Sequence, residues 1–262
     1  MRSVRILFVC AVIFCLSNLV FAYTNSFTLN FANSGDTAGW SDPVNIPATT
    51  IVAGESTPAD SPAYSPTPNA GAGYNSTPWM RIGPTTTDNY GIALAIYDGT
   101  AGGSTADPTD YTYQANVFVV THATLRFQMG ICGRWTLAAD GNFPFEVFHC
   151  VNVAGQSNGY GTRSGGSAAA YGLFPAETTN RWVRMKMTFH GSLVDIGIDN
   201  DLDGTFEYTT PDIALTDTAG KPGFFSVIND PANGSVGVAN QFSYFDNFSY
   251  TLTTSVGDWN LY

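Results

Sequence analysis

The chain has 262 residues, with 10 Lys+Arg against 21 Asp+Glu and a formal net charge of −11. That acidity, without any basic cluster, excludes a nucleic-acid partner and attraction to anionic membrane surfaces. Only 12% of residues are charged while 14% are aromatic, a composition and length that suit one large extracellular β domain.

Arg2 and Arg5 make a basic start, residues 6–16 form a short apolar run, and Val20-Phe21-Ala22 offers residues a signal peptidase reads. Residues 1–22 are therefore expected to be a cleaved secretory signal, which makes the protein secreted. The run is too short to span a bilayer, so no membrane insertion of the remaining chain is expected. Residues 23–254 are expected to form a single β-sandwich domain, followed by a C-terminal tail over 255–262.

Apolar residues then alternate with polar ones, the period of a half-buried strand. Strands are expected at 26–31 and 91–97, with residues 53–78 and 101–110 as loops rich in turn-forming residues. In YTYQANVFVV, Tyr111, Tyr113, Ala115, Val117 and Val119 oppose Thr112, Gln114 and Asn116. ATLRFQM sets Leu125, Phe127 and Met129 against Arg126 and Gln128, and FPFEVFHC sets Phe143, Phe145 and Val147 against Glu146, Phe148 and Cys150. Residues 154–170 read as a polar loop. RWVRMKMTFH places Val183, Met185, Met187 and Phe189 on one face. Further strands are expected at 223–228 and 241–252. Many short strands with one apolar face, and no helical period between them, imply two antiparallel sheets packed face to face.

Cys10 and Cys15 fall inside the signal, leaving Cys132 and Cys150. In an exported chain this pair is expected to form a disulfide, stabilising by roughly 3 kcal/mol on a chain-entropy argument. Parity puts both cysteines on the same side of the apolar layer. Free or metal-binding thiols are the alternative.

DIGIDNDLDGTFEY, residues 195–208, carries the densest acidic cluster. Val194, Ile196 and Ile198 form an apolar face, and matching it to Phe206 and Tyr208 predicts a loop over 200–204 with Ile198 opposite Phe206. Asp199, Asp201 and Asp203, followed by Gly204, match the first half of an EF-hand calcium loop, where alternate oxygens converge on a hard cation. Glu207 stands at the ninth position, but the twelfth is Thr210 rather than Glu. The alternatives are a calcium site and a plain hairpin whose Asp and Asn residues favour turns. A solvated loop tip gives no reason for the raised pKa a general acid requires.

FTLNFANSGDTAGW near the start, WVRMKMTFHGSLVDIGID in the middle, and AGKPGFFSV followed by FSYFDNFSYT near the end resemble the paired and closing strands of concanavalin A-like (laminin-G-like) jelly rolls. The resemblance covers most of residues 26–253. It implies an all-β, two-sheet antiparallel jelly-roll sandwich. Domains of this kind bind glycans or act as adhesive modules, and some are glycoside hydrolases or lyases. The hydrolases carry a Glu-x-Asp-x-x-Glu strand, whereas Glu55, Glu146, Glu177 and Glu207 here stand in no such arrangement. By the same resemblance Asp246 holds a structural calcium, with carbonyls or Asp36 near the N-terminal strand. The alternative is an aspartate bonded to local backbone.

Glycan binding needs flat aromatic rings and planar polar side chains that reach sugar hydroxyls. Gln114, Asn116, Arg126, Gln128 and Glu146 supply the second set if they share one open sheet face, and Trp135, with Trp79 and Tyr160, the first. Arg126 with Glu146 reads equally as a cross-strand ion pair. His122, His149 and His190 lack metal-ligand spacing. The expected function is a secreted, non-catalytic carbohydrate- or cell-surface-binding module with a glycan partner and calcium as a structural ion. An adhesive surface protein and a glycan-degrading enzyme are the alternatives.

Overall fold

The computed structural model describes residues 25–41, 49–55, 79–84, 91–97, 108–119, 124–135, 147–152, 159–164, 167–173, 181–216, 218–239 and 241–253. The expected signal and tail lie outside the described residues, as does Glu146.

Among the described residues, seventeen strands follow in chain order: β1 (Asn25–Leu29), β2 (Trp40–Ser41), β3 (Thr49–Glu55), β4 (Trp79–Pro84), β5 (Ile92–Tyr97), β6 (Tyr111–Val119), β7 (Arg126–Trp135), β8 (Val147–Asn152), β9 (Gly159–Ser164), β10 (Ser167–Leu173), β11 (Arg181–His190), β12 (Leu193–Asp199), β13 (Tyr208–Thr209), β14 (Ile213–Ala214), β15 (Lys221–Asp230), β16 (Val236–Gly237) and β17 (Ser243–Leu252). Among the described residues there is no α-helix, only short 3-10 turns at Ser34–Thr37 and Pro231–Asn233. The first sheet runs β13-β12-β11-β6-β17-β4-β3, with β1 added on β17 and β14 on β12. The second runs β10-β9-β8-β7-β15-β5-β2, with β16 on β15.

The alternation in β6 and β11 does what the sequence predicts. Tyr113, Ala115, Val117, Val183, Met185 and Met187 are fully buried between the sheets. Aromatic rings fill the space between the layers: Phe224 of the second sheet stacks on Phe245 of the first, centroids 4.4 Å apart, and on Trp40 of its own sheet at 4.6 Å. Tyr111 stacks on Phe189 at 4.5 Å. At that end Arg134, only 1% exposed, donates to the carbonyls of Pro108, Thr109 and Gly191 and lies over the Phe189 ring. A guanidinium fits there because several carbonyls and a ring face replace its water.

A bulge in β17 sets the faces around DNF. Asp246 pairs with Asn116 and Ser249 with Gln114, so β17 carries one residue more than β6. Asn247 absorbs it at φ 49°, a left-handed conformation that asparagine tolerates better than most residues. Phe245 and Phe248 therefore both enter the core while Asp246 faces outward.

The structure corrects four expectations. The predicted loop 53–78 begins later, because β3 continues to Glu55. The predicted loop 154–170 contains β9 and the start of β10, a hairpin at the edge of the second sheet. GYGTRS and SAAAYGL show little apolar alternation, and backbone pairing to a neighbour makes them strands. The acidic hairpin pairs Ile198 with Tyr208, not Phe206. That is a slip of two residues, which keeps side-chain parity and lengthens the loop. Finally, Cys132 is a free buried thiol, not half of a bridge to Cys150. Cys132 pairs with Phe148 and Cys150 with Gly130, so the cysteines stand diagonally. Diagonal positions are about 7–8 Å apart, beyond the roughly 7 Å reach of a disulfide. Burial pushes the Cys132 thiol pKa up.

Candidate functional site on the outer face of the first sheet

Because the odd residues of β6 and β11 enter the core, their even residues face outward, and strand register lines them up. Asp199 pairs with Arg184, Arg184 with Asn116, and Asn116 with Asp246, in a row across β12, β11, β6 and β17. Arg184 Nη1 lies 3.5 Å from Asp199 Oδ2, and Arg184 Nε donates to Asn116 Oδ1 at 3.2 Å. Asp246 Oδ1 accepts the Asn247 amide at 2.7 Å. Asn116 and Asp199 are fully buried, Asp246 is nearly so, and Arg184 is half-buried.

On one side of this row Phe118 and Trp182 pair edge to face with centroids 5.4 Å apart. On the other side the face is partly exposed. Gly197, Lys186, Gln114 and Ser249 form the next row, then Asp195, Thr188, Thr112 and Thr251. Phe206 covers Gly197, where a Cβ would come 2.9 Å from its ring, and Lys186 Nζ sits 4.2 Å from the ring centroid. Gly197 thus makes room for a half-exposed aromatic ring at the edge of a polar sheet surface.

Phe206 closes the acidic loop. Asp199 Oδ1 accepts the Leu202 amide at 2.6 Å and its Oδ2 the Gly204 amide at 3.0 Å. Asp201 takes the Asp203 amide, Asp203 the Thr205 amide, and Glu207 the Asn200 amide. Thr210 Oγ1 accepts from Ile196, so the residue at the twelfth loop position seals the hairpin instead of joining the carboxylates. One oxygen from each of Asp199, Asp201, Asp203 and Glu207 lies within 4.8 Å of the others. Oxygen ligands of a single calcium, at 2.3–2.6 Å, are separated by up to about 5 Å, so this set fits a hard cation. Burial raises the Asp199 pKa; the Gly204 and Leu202 amides and Arg184 pull it down, and Glu207 pushes it up.

The expected residues divide. Asp199, Asp201, Asp203 and Glu207 come together. Asp246 belongs to the polar row and not to that group, and Asp36 instead accepts the Asn33 amide. Gln114 and Asn116 share the outer face of the first sheet, whereas Arg126, Gln128 and Trp135 lie on β7 of the second, so the predicted glycan residues are not one surface. Tryptophan 79 lies on β4 of the first sheet and Tyr160 on β9 of the second. Sequence reasoning missed Arg184, Lys186 and Phe206. Arg184 and Lys186 stood on the polar side of a strand already found, and only strand order shows what they face.

No protein-family model matches the chain. No curated protein matches it either. Among experimental structures it is similar to the exoplasmic/lumenal domain of VIP36 in its Ca2+-bound form, at 8% identity and a TM-score of 0.51, over 90% of this chain and 93% of that one. It is also similar to a protein of unknown function from Shewanella oneidensis MR-1, at 11% identity and a TM-score of 0.51, over 95% of each chain. Carbohydrate-binding module CBM66 from Bacillus subtilis aligns at 11% identity and a TM-score of 0.43, over 80% of this chain and 94% of that one. The two antiparallel sheets and the first two likenesses together establish an all-β, concanavalin A-like jelly-roll sandwich.

Proposed function

We propose that this chain is a secreted, non-catalytic carbohydrate-binding module that presents the outer face of its first sheet to a glycan and holds calcium in the loop 199–207. The two partly exposed polar rows beside the Asp199–Arg184–Asn116–Asp246 row, Lys186–Gln114–Ser249 and Asp195–Thr188–Thr112–Thr251, carry this reading. They set amide, ammonium, carboxylate and hydroxyl groups side by side on a rigid sheet, donors and acceptors that recognise sugar hydroxyls. Phe206 adds a ring at the edge of the same face, held by the loop proposed to take calcium. The convergence of four carboxylate oxygens supports the calcium assignment, and the VIP36 domain of similar fold is Ca2+-bound. The basic start and short apolar run of residues 1–22 support secretion. The buried row engages its own members in hydrogen bonds and an ion pair and so ties together the strands that carry this face. Hybridising the purified chain to a glycan array, with and without a chelator, tests the reading. Binding that weakens with chelator supports it, and a flat response in both conditions removes it.

A further inference from the structure

The two partly exposed rows on the outer face of the first sheet continue onto a fifth strand. β1 lies on the far side of β17 from β6, with Thr28 paired to Ser249 and Ser26 to Thr251, and both β1 residues are exposed. Each row therefore crosses β12, β11, β6, β17 and β1. Neighbouring strands lie about 4.8 Å apart, so a row is about 19 Å long, and the two rows run about 7 Å from one another. Every side chain in them is at least partly exposed. The hydroxyls of Thr112, Thr188, Ser249 and Thr251 and the amide of Gln114 make no hydrogen bond to another described residue. The face is a regular, open array of donors and acceptors with nothing of their own to bond.

The chemistry of the rows selects what lies on them. They hold no apolar side chain, whereas the centre of a protein interface is apolar. Their charged groups are Lys186 and Asp195, one of each sign, in a chain of net charge −11, so an anionic polymer gains nothing here. Hydroxyl and amide groups both donate and accept, which matches the hydroxyls of a neutral sugar. Length then decides between a chain end and a chain. A single sugar spans little more than one strand spacing and leaves most of a row unused. In an extended polysaccharide the rise per sugar is close to one strand spacing, so a chain laid across the strands meets a fresh polar group at each unit. Phe206, over Gly197 on β12, adds a ring at one end of the array.

We infer that the ligand is a linear, neutral polysaccharide laid across the strands, about five sugar units at a time, with the Thr112, Thr188 and Thr251 hydroxyls and the Gln114 amide bonding successive sugars and Phe206 at the end of the run. This rests on the carbohydrate-binding reading and adds the length, direction and charge class of the ligand.

The test is calorimetric titration of the purified chain with neutral gluco-, xylo- and manno-oligosaccharides and with every glycan that scores on the array, each as a length series from the monosaccharide to the octamer. Affinity is expected to rise with each added sugar up to about five units, the number of strands crossed, and then to level. Thr112→Val, Thr188→Val and Thr251→Val keep the side-chain shape and remove the hydroxyl. Each is expected to weaken binding of the longer oligomers about threefold to tenfold, the effect of one lost hydrogen bond, while leaving the monosaccharide little changed. Val236→Thr, exposed on the second sheet, is expected to leave all affinities as they are. Thermal melts show which variants are folded, and the length dependence of the wild-type chain does not rely on them. A monosaccharide or disaccharide bound as tightly as the longer oligomers would overturn the inference and leave the carbohydrate reading standing. Full affinity in all three folded valine variants, or a preference for sulfated or uronic-acid chains, would do the same. Binding of no glycan at all would remove both.

Discussion

Arg184 Nη1 lies 3.5 Å from Asp199 Oδ2, and this pair joins the outer face of the first sheet to the acidic loop. Asp199 is fully buried and Arg184 is 24% exposed. The arginine offsets a carboxylate that burial would otherwise leave costly to ionise, while its other side holds Asn116.

Arg184→Met is expected to destabilise the fold by roughly 2 kcal/mol at pH 7, below the range for a fully buried pair because Arg184 is partly hydrated. The loss depends on Asp199 being ionised. Burial already sets the Asp199 pKa above its ordinary value. A carboxyl raised in this way contributes stability below its unfolded pKa and loses it as pH rises through the folded value. Removing Arg184 takes away a group that lowers the pKa, so the variant loses more stability as pH rises. Urea unfolding at pH 4 and pH 7 checks this, and an equal loss at both values would contradict it.

Calcium is expected to raise the melting temperature, by an amount equivalent to about 2.7 kcal/mol at one hundred times the dissociation constant. Asp201→Asn with Asp203→Asn is expected to abolish the shift, since both carboxylates belong to the converging group. Affinity should fall as pH drops through the raised Asp199 pKa, because proton and cation compete for the same oxygens. Differential scanning fluorimetry across pH, with magnesium as control, reads all three effects.

Gly133→Ala is expected to cost about 1–3 kcal/mol, the usual penalty for overfilling a packed core. A Cβ at Gly133 would collide with the Phe189 ring, which Arg134 and Tyr111 already hold. Phe189→Leu in the Gly133→Ala background should recover part of the loss, measured by a double-mutant cycle in urea.

Cys132 is expected to react with an alkylating reagent only after unfolding, since its thiol is buried and held protonated. A reductant should leave the melting temperature unchanged. A drop on adding dithiothreitol would show that a disulfide contributes after all.

Alternation was legible wherever one strand face met water. β6 and β11 could be read residue by residue, because their buried odd positions contrast with polar even ones. β4 could not: WMRIGP is buried along its whole length, so no period of two is left in it. β9 and β10 escaped for the opposite reason, since their small residues show little apolar contrast. The acidic loop was recognisable because its ligands are local, with all four carboxylates inside nine residues of chain.

The polar row was of another kind. Asn116, Arg184 and Asp246 are far apart in sequence, and nothing local to any of them indicates the others. The chain by itself determined the two-layer class, through hydrophobic burial at every second residue, and the acidic loop, through short-range spacing. Only tertiary structure decided that β11, β6 and β17 are neighbours, in what register, and that a bulge at Asn247 turns Asp246 outward. Alternation says which side of a strand a residue takes, but pairing between distant strands depends on how the whole core packs, and that pairing assembled the site.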